Sequence, residues 1–330
     1  MTSGIHSKIT GLGAYLPPKV LTNADLEKMV DTTDEWIQTR TGIRERRIVE
    51  AGVPTSDLAA EAGKEAIRNA GLKPSDIDLI IVATISPDMS FPSTACVVQN
   101  KIGADHAGAF DMAAACSGFP YAVTIADGMI RGGLYKNVLV IGAEVLSPFI
   151  DWKDRGTCIL FGDGAGAAVL SATTQKDKGV IATYLGSDGS AADILKIPAG
   201  GSAFPPTAQT VSDRMHTVKM SGSEIFKIAV RTMGDAVIEV CKRANLKFEE
   251  IDCLIPHQAN FRIIQAMAER LGMPLEKIFL NLQKYGNMSA ASTAVAFYEA
   301  VQTGFVKPGS NVVLVAFGGG LTWAGCVIKW

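Results

Sequence analysis

The chain carries its own pattern twice, and that repeat limits what it can fold into. Ala70-Gly71-Leu72-Lys73, followed by Ile77-Asp78, returns 174 positions later as Ala244-Asn245-Leu246-Lys247, followed by Ile251-Asp252. Asn137-Val138-Leu139-Val140 returns at the same spacing as Asn311-Val312-Val313-Leu314. Each half reads as helix, loop, Ile-Asp, buried strand, helix, and a second buried strand after Asn. The strand runs are Leu79–Thr84, Val138–Gly142, Ala167–Leu170, Val312–Phe317 and Cys326–Ile328, short and rich in Val and Ile. Helices are predicted over Ser56–Ala70, with a cap residue before and Gly71 after, and over Glu224–Ala244, where Ile225, Ala229, Met233, Ala236 and Val240 recur at helical spacing. The alternation predicts an α/β fold of two similar halves packed as one body. A polar break at 171–180 sets the halves at 1–175 and 176–330.

Composition narrows the functional classes. Hydrophobic residues make up 48% of 330 and charged residues 19%, enough for a large core. A net charge of −2 gives no basic field for nucleic acid or an anionic membrane. No run approaches the roughly 18 apolar residues of a membrane span, and Met1–Thr10 has no apolar core of signal-peptide length. The six cysteines are scattered without a C-x-x-C pair, which argues against a zinc site or disulfide framework and for a reducing, cytoplasmic setting.

Four segments carry candidate chemistry. Cys116 sits among small residues in DMAAACSGFP (111–120), ahead of a helical stretch. A thiol at a helix N-terminus is expected to ionise more easily, although the segment reads equally well as a packed alanine-rich turn. His257 follows the second-half strand, at the carboxyl end where open α/β sheets gather ligands; the alternative is a helix cap. Asn287 lies in YGNMSAAS (285–292). A local offset near 170, from Ile102-Gly103 against Leu271-Gly272, puts it opposite Cys116, and capping is again the alternative. Phe317–Trp323 joins two buried strands through three glycines, either as a tight hairpin or as backbone N–H donors for an oxyanion. Gly162–Ala167 (GDGAGA) fits a dinucleotide fingerprint loosely but runs into a strand, whereas that fingerprint must open a helix.

Taken together, Thr33–Ile43 (TDEWIQTRTGI), Cys116-Ser-Gly, Asp154-Arg155-Gly-Thr, Phe161–Gly166, His257-Gln-Ala-Asn, Gly286-Asn287 and Phe317–Gly320 resemble the β-ketoacyl-acyl carrier protein synthase III family over essentially the whole chain. The resemblance implies the thiolase fold, two duplicated halves in five αβαβα layers, and a homodimer. It implies an acyltransferase that initiates fatty acid synthesis without metal or cofactor. Cys116 takes the acyl group from an acyl-CoA, and the enolate of decarboxylating malonyl-acyl carrier protein then attacks it. His257 and Asn287 serve the decarboxylation, while backbone N–H groups of Cys116 and Gly319 form the oxyanion hole. Trp36 and Arg155 would sandwich the CoA adenine, with Arg40 near its phosphate. Lys227, Arg262 and Arg270 would dock the acidic carrier protein, although Glu269 stands where some relatives carry a further basic residue. Phe91 would reach the partner subunit's acyl pocket and restrict the primer to a short one, acetyl-CoA. The rival within the fold is a specialised synthase or acyltransferase of secondary metabolism using the same triad. A papain-like hydrolase is excluded by the missing Cys-Gly-Ser-Cys context.

Overall fold

The computed structural model describes residues 4–330. In chain order the elements that build the body are β1 (His6–Tyr15), α1 (Asp34–Thr41), α2 (Thr55–Asn69), β2 (Leu79–Ala83), α3 (Thr94–Ile102), β3 (Gly108–Met112), α4 (Gly118–Arg131), β4 (Asn137–Glu144) and β5 (Gly164–Thr173). The second half continues with β6 (Gly179–Ser187), α5 (Gly222–Ala244), β7 (Cys253–Pro256), α6 (Phe261–Leu271), α7 (Ala290–Gln302), β8 (Asn311–Gly318) and β9 (Thr322–Lys329).

The first sheet has the order β1-β5-β4-β2-β3, and the second, read from its β6 edge, has β6-β9-β8-β7. Matching strands occupy matching places. The place of β3 is held in the second half by a single bridge, Leu254 to Ile278. Because the spacing of 174 is constant along the matched strands, matched residues take matching faces. Val138 and Val140 face the same inner core as Val312 and Leu314. Leu139 and Ile141 face the first half's outer core, and Val313 and Val315 face the second's. Both faces of these central strands are therefore buried, which is why they read as unbroken apolar runs. Helices α4 and α7 fill the layer between the sheets, α2 and α3 cover the outside of the first sheet, and α5 covers the outside of the second, with α6 packed on it. This is the αβαβα order of the thiolase fold.

The repeated polar residues hold equivalent corners together. Asp78 Oδ2 accepts from the Asn137 N–H at 2.8 Å, and Asn137 Nδ2 donates to the Asp76 carbonyl at 2.9 Å. Asp252 Oδ2 accepts from the Asn311 N–H at 2.8 Å, and Asn311 Nδ2 donates to the Glu250 carbonyl at 2.7 Å. Gly71 and Asn245 end the matched helices with φ of 70° and 51°, a left-handed conformation that Gly and Asn adopt most readily. One expected cap differs. Thr55 is the first helical residue of α2, and its hydroxyl donates to the Ser86 carbonyl. The acceptor at this terminus is Asp88, which takes the Ser56 N–H at 2.9 Å. A carboxylate from a distant loop takes the place of the local cap residue.

The Gly162–Ala167 run enters β5, as its sequence order requires. Its glycines serve packing. A Cβ on Gly166 would lie 2.6 Å from Ala294 Cβ and 2.7 Å from the Val295 nitrogen. Helix α7 thus presses directly on the strand. Because one of these obstacles is backbone, Gly166→Ala is expected to destabilise the protein by about 3 kcal/mol or more, read from the denaturant midpoint.

Candidate active site

The two halves meet at a pair of strained turns. Ala115 before Cys116 and Ser289 before Ala290 both have φ of 45°. They are again 174 positions apart, so the spacing holds through the turns instead of shortening to about 170. The residue matched with Cys116 is therefore Ala290, and Asn287 stands on the loop just before it. Helices α4 and α7 start from these turns and pack against each other.

Cys116 lies two residues ahead of α4 and is 6% exposed. Burial pushes its thiol up to about 12, outweighing smaller downward effects from hydrogen bonding by Ser289, its own backbone and Asn287. The expected lowering at the helix N-terminus is overturned in this resting geometry, because desolvation of a charge exceeds the favourable terminus. The glycine hairpin closes on this turn. A Cβ on Gly318 would sit 2.6 Å from the Cys116 nitrogen. Ser117 Oγ donates to the Thr322 carbonyl at 3.0 Å, and Thr322 Oγ1 donates to the Ala114 carbonyl at 2.9 Å. Phe317–Trp323 forms the tight hairpin, and its glycines bring backbone against the Cys116 turn.

His257 continues the ladder beyond β7, its N–H donating to the Val315 carbonyl at 2.8 Å. Gln258 fixes the next loop, donating to the Pro256 and Phe279 carbonyls and accepting from the Asn281 N–H. The His257 ring is buried, its pKa lowered to about 3 by burial, and its Nδ1 has no hydrogen-bond partner. It is a neutral imidazole at any physiological pH.

Asn287 is anchored through its backbone. Its N–H donates to the Leu160 carbonyl at 2.8 Å, and its carbonyl accepts from Gly162 at 3.0 Å. Its side-chain Oδ1 accepts the Ser289 N–H at 2.8 Å. With the oxygen held this way, the amide has its two N–H donors left to offer.

Cys116, His257 and Asn287 line one cavity of about 140 Å³, walled mainly by apolar residues including Leu160, Phe161, Met220 and Ile225. Cys116 also lines a second cavity of about 350 Å³, bounded by Ile85, Leu146, Val218 and Gly319. A thiol between two largely apolar chambers, with neutral donors in one and a glycine backbone in the other, is suited to acyl transfer.

The remaining predicted residues fall into three surface groups. Trp36, Arg40 and Arg155 come together, with the guanidinium carbons of Arg155 and Arg40 lying 4.7 and 5.2 Å from the indole centroid. Arg155 stacks directly on Trp36, so no slot stands open between them. Lys227 and Arg262 are exposed on α5 and α6, Arg262 lying over the Phe226 ring that lines the smaller cavity. Arg270 is further along α6 and is paired with Asp235 at 2.5 Å. Phe91 is 84% exposed. Among the described residues, no group of three or more His, Cys, Asp or Glu is arranged to hold a metal ion, and no helix is long and apolar enough to cross a membrane.

Two buried polar residues near Cys116 escaped sequence reasoning, Glu144 and the Ser289 hydroxyl. The signal for Glu144 was a lone carboxylate ending the apolar run VLVIGAE (138–144). Ser289 had none beyond its neighbourhood.

Comparison with known proteins agrees with the fold. Residues 110–189 match the profile of 3-oxoacyl-[acyl-carrier-protein] synthase III, and residues 241–330 match the C-terminal profile of the same family. The β-ketoacyl-[acyl-carrier-protein] synthase III of Caldanaerobacter subterraneus subsp. tengcongensis is 56% identical, the match covering 100% of this chain and 99% of that one. The Clostridioides difficile protein of the same name is 54% identical over 98% of each chain. The crystal structure of 3-oxoacyl-[acyl-carrier-protein] synthase III from Aquifex aeolicus superposes with a TM-score of 0.91 at 49% identity, covering 98% of this chain and 100% of that one. A duplicated fold, a buried thiol beside two neutral donors and similarity along its whole length make the chain a member of the 3-oxoacyl-[acyl-carrier-protein] synthase III family of condensing enzymes.

Proposed function

We propose that the chain joins an acyl-CoA primer to malonyl-acyl carrier protein by decarboxylative condensation, giving 3-ketoacyl-acyl carrier protein, CoA and carbon dioxide. It thereby starts a round of fatty acid synthesis. The observation that carries this reading is the orientation of the Asn287 amide, fixed by the Ser289 N–H beside a neutral His257 in the cavity of the thiol. Losing carbon dioxide builds negative charge on the malonyl thioester oxygen. Two neutral N–H donors stabilise that charge without quenching the enolate by protonation. For His257 the donating nitrogen is Nε2.

Cys116 is the nucleophile, and a thioester on it is both easily formed and easily attacked. The N–H groups of Cys116 and Gly319 hold the oxyanion of each acyl transfer. The apolar cavity beside His257 suits the uncharged arm shared by CoA and the carrier protein, and the cavity beside Gly319 suits the primer's acyl chain. Thiol and donors supply the whole reaction, so it needs no metal or cofactor. Phe91, exposed in the single chain, is covered by the second subunit of a homodimer, where it limits the primer to acetyl. The setting is the cytoplasm. Mass spectrometry of the protein after incubation with labelled acetyl-CoA tests the reading. Acyl label on Cys116 supports it, and label on another cysteine overturns it.

The CoA nucleotide binds at Trp36, Arg155 and Arg40. Arg155 covers the indole, so the adenine must displace or share that face. Cation–π and stacking contacts of this kind are worth about 1–2 kcal/mol. Trp36→Ala is therefore expected to raise KM for acetyl-CoA about tenfold with kcat little changed, in steady-state assays varying acetyl-CoA alone. Lys227 and Arg262 meet the carrier protein at the mouth of the smaller cavity. Arg270 contributes less, because Asp235 already neutralises it.

A further inference from the structure

Glu144 ends β4 with no exposed surface. Its carboxylate accepts from Ser86 Oγ at 2.6 Å, Thr84 Oγ1 at 3.2 Å and the Ile85 N–H at 3.1 Å, and it reaches the Ala290 N–H at 3.5 Å. Among the described residues no cation pairs with it. The matched position in the second half is Gly318, bare against the Cys116 turn. The first half thus sets a carboxylate against the second half's turn, where the second half sets only hydrogen against the first's.

Ser289 forms that second turn and is 1% exposed. Its Oγ is buried with no hydrogen-bond partner. Even so, it lies close enough to the Cys116 thiol and the Glu144 carboxyl to favour the charged form of each. Ser289 and Cys116 line the same larger cavity. An unsatisfied buried hydroxyl between a thiol and a carboxylate calls for a role.

A thiol held up to about 12 is ionised in on the order of one molecule in 10⁵ at pH 7. His257, lowered to about 3, is a poor base. Glu144 is raised to about 7 by burial, near the pH at which a base works best. Its charge is also one of the influences that push the Cys116 thiol up, so the two groups face each other directly. Asp163, beside the neighbouring strand, is occupied by the N–H groups of Val49, Leu146 and Ser147.

We propose that Ser289 and Glu144 form a proton path for Cys116, an inference that rests on reading Cys116 as the nucleophile. As the sulfur attacks the acyl-CoA carbonyl, the thiol proton passes to Ser289 Oγ and the serine proton passes to Glu144. The tetrahedral intermediate collapses, the carbon–sulfur bond to CoA breaks, and the CoA thiolate leaves to take a proton from water. In the condensation the Cys116 thiolate is expelled from the new 3-ketoacyl product. The proton stored on Glu144 then returns to it through Ser289.

The decisive variant is Ser289→Ala. Ala115 already occupies the matched turn at the same φ of 45°, so alanine adds no backbone strain there. Single-turnover acylation by acetyl-CoA, followed by mass spectrometry, is measured beside carbon dioxide release from malonyl-acyl carrier protein. Acylation is expected to fall about 10- to 100-fold, while decarboxylation, which needs no thiol proton, falls less than about threefold. Glu144→Gln should show the same selective loss. The double variant should be no slower than the worse single one, because links in series do not add. Acylation within about threefold of wild type in Ser289→Ala overturns the path, as does an equal fall in both half-reactions. A wild-type protein that never carries acyl on Cys116 overturns the nucleophile reading itself, and the path with it.

Discussion

Cys116→Ser is expected to lower condensation by about 10⁴-fold or more and to leave no acyl group on the protein. The buried site already holds the thiol near 12. A serine hydroxyl there is harder still to ionise, so no ester forms, and an ester would in any case resist the second attack. The loss falls on both covalent steps, so saturating acetyl-CoA cannot restore it. Intact-protein mass spectrometry after mixing with acetyl-CoA measures the first step, and product formation with malonyl-acyl carrier protein measures both. A serine variant retaining a tenth of the activity would transfer the nucleophile's role away from residue 116. The other cysteines offer no substitute: Cys158, Cys241, Cys253 and Cys326 are buried, and Cys96, though exposed, lines neither chamber.

His257→Ala and Asn287→Ala are expected to separate the two half-reactions. Each removes one donor to the developing enolate, which costs about 10²- to 10³-fold in decarboxylation. Cys116 should still acylate within a few-fold of wild type. Asn287→Asp should be at least as damaging as alanine, because it turns two donors into acceptors where negative charge builds. The pH dependence carries a further expectation. A base whose pKa is lowered stays unprotonated down to that lowered value. His257, near 3, therefore remains neutral across pH 5–8, and decarboxylation should show no inflection near the ordinary imidazole value. Carbon dioxide release and acylation, measured in parallel across that range, check all three statements. Loss of acylation with intact decarboxylation would reverse the assignment.

The repeat made much of the fold readable in advance. Asp78 and Asn137 recur as Asp252 and Asn311 because each pair locks the same corner. Gly71 and Asn245 recur because each ends a helix in the left-handed region. Such constraints act within a few residues or along one strand, so they leave marks in sequence. The cap of α2 was not readable, because its acceptor, Asp88, comes from a different loop. The match of Cys116 with Ala290 was not readable either, since the helices before the two turns differ in spacing while the turns themselves do not.

The sequence by itself determined the two-half α/β body, its buried strands, and the candidacy of Cys116, His257 and Asn287. The repeat encodes the body, and short local motifs mark the candidates. Tertiary structure alone decided how these residues behave. Burial between two sheets, and not the nearby helix terminus, sets the ionisation of Cys116. A backbone N–H two residues on decides which way the Asn287 amide faces, and the depth of its cavity keeps His257 neutral. Glu144 and Ser289 are 145 positions apart in sequence, and only the packing of one half on the other brings both beside the thiol. Desolvation and hydrogen bonding depend on what surrounds an atom in space, and in this chain those surroundings come largely from the opposite half.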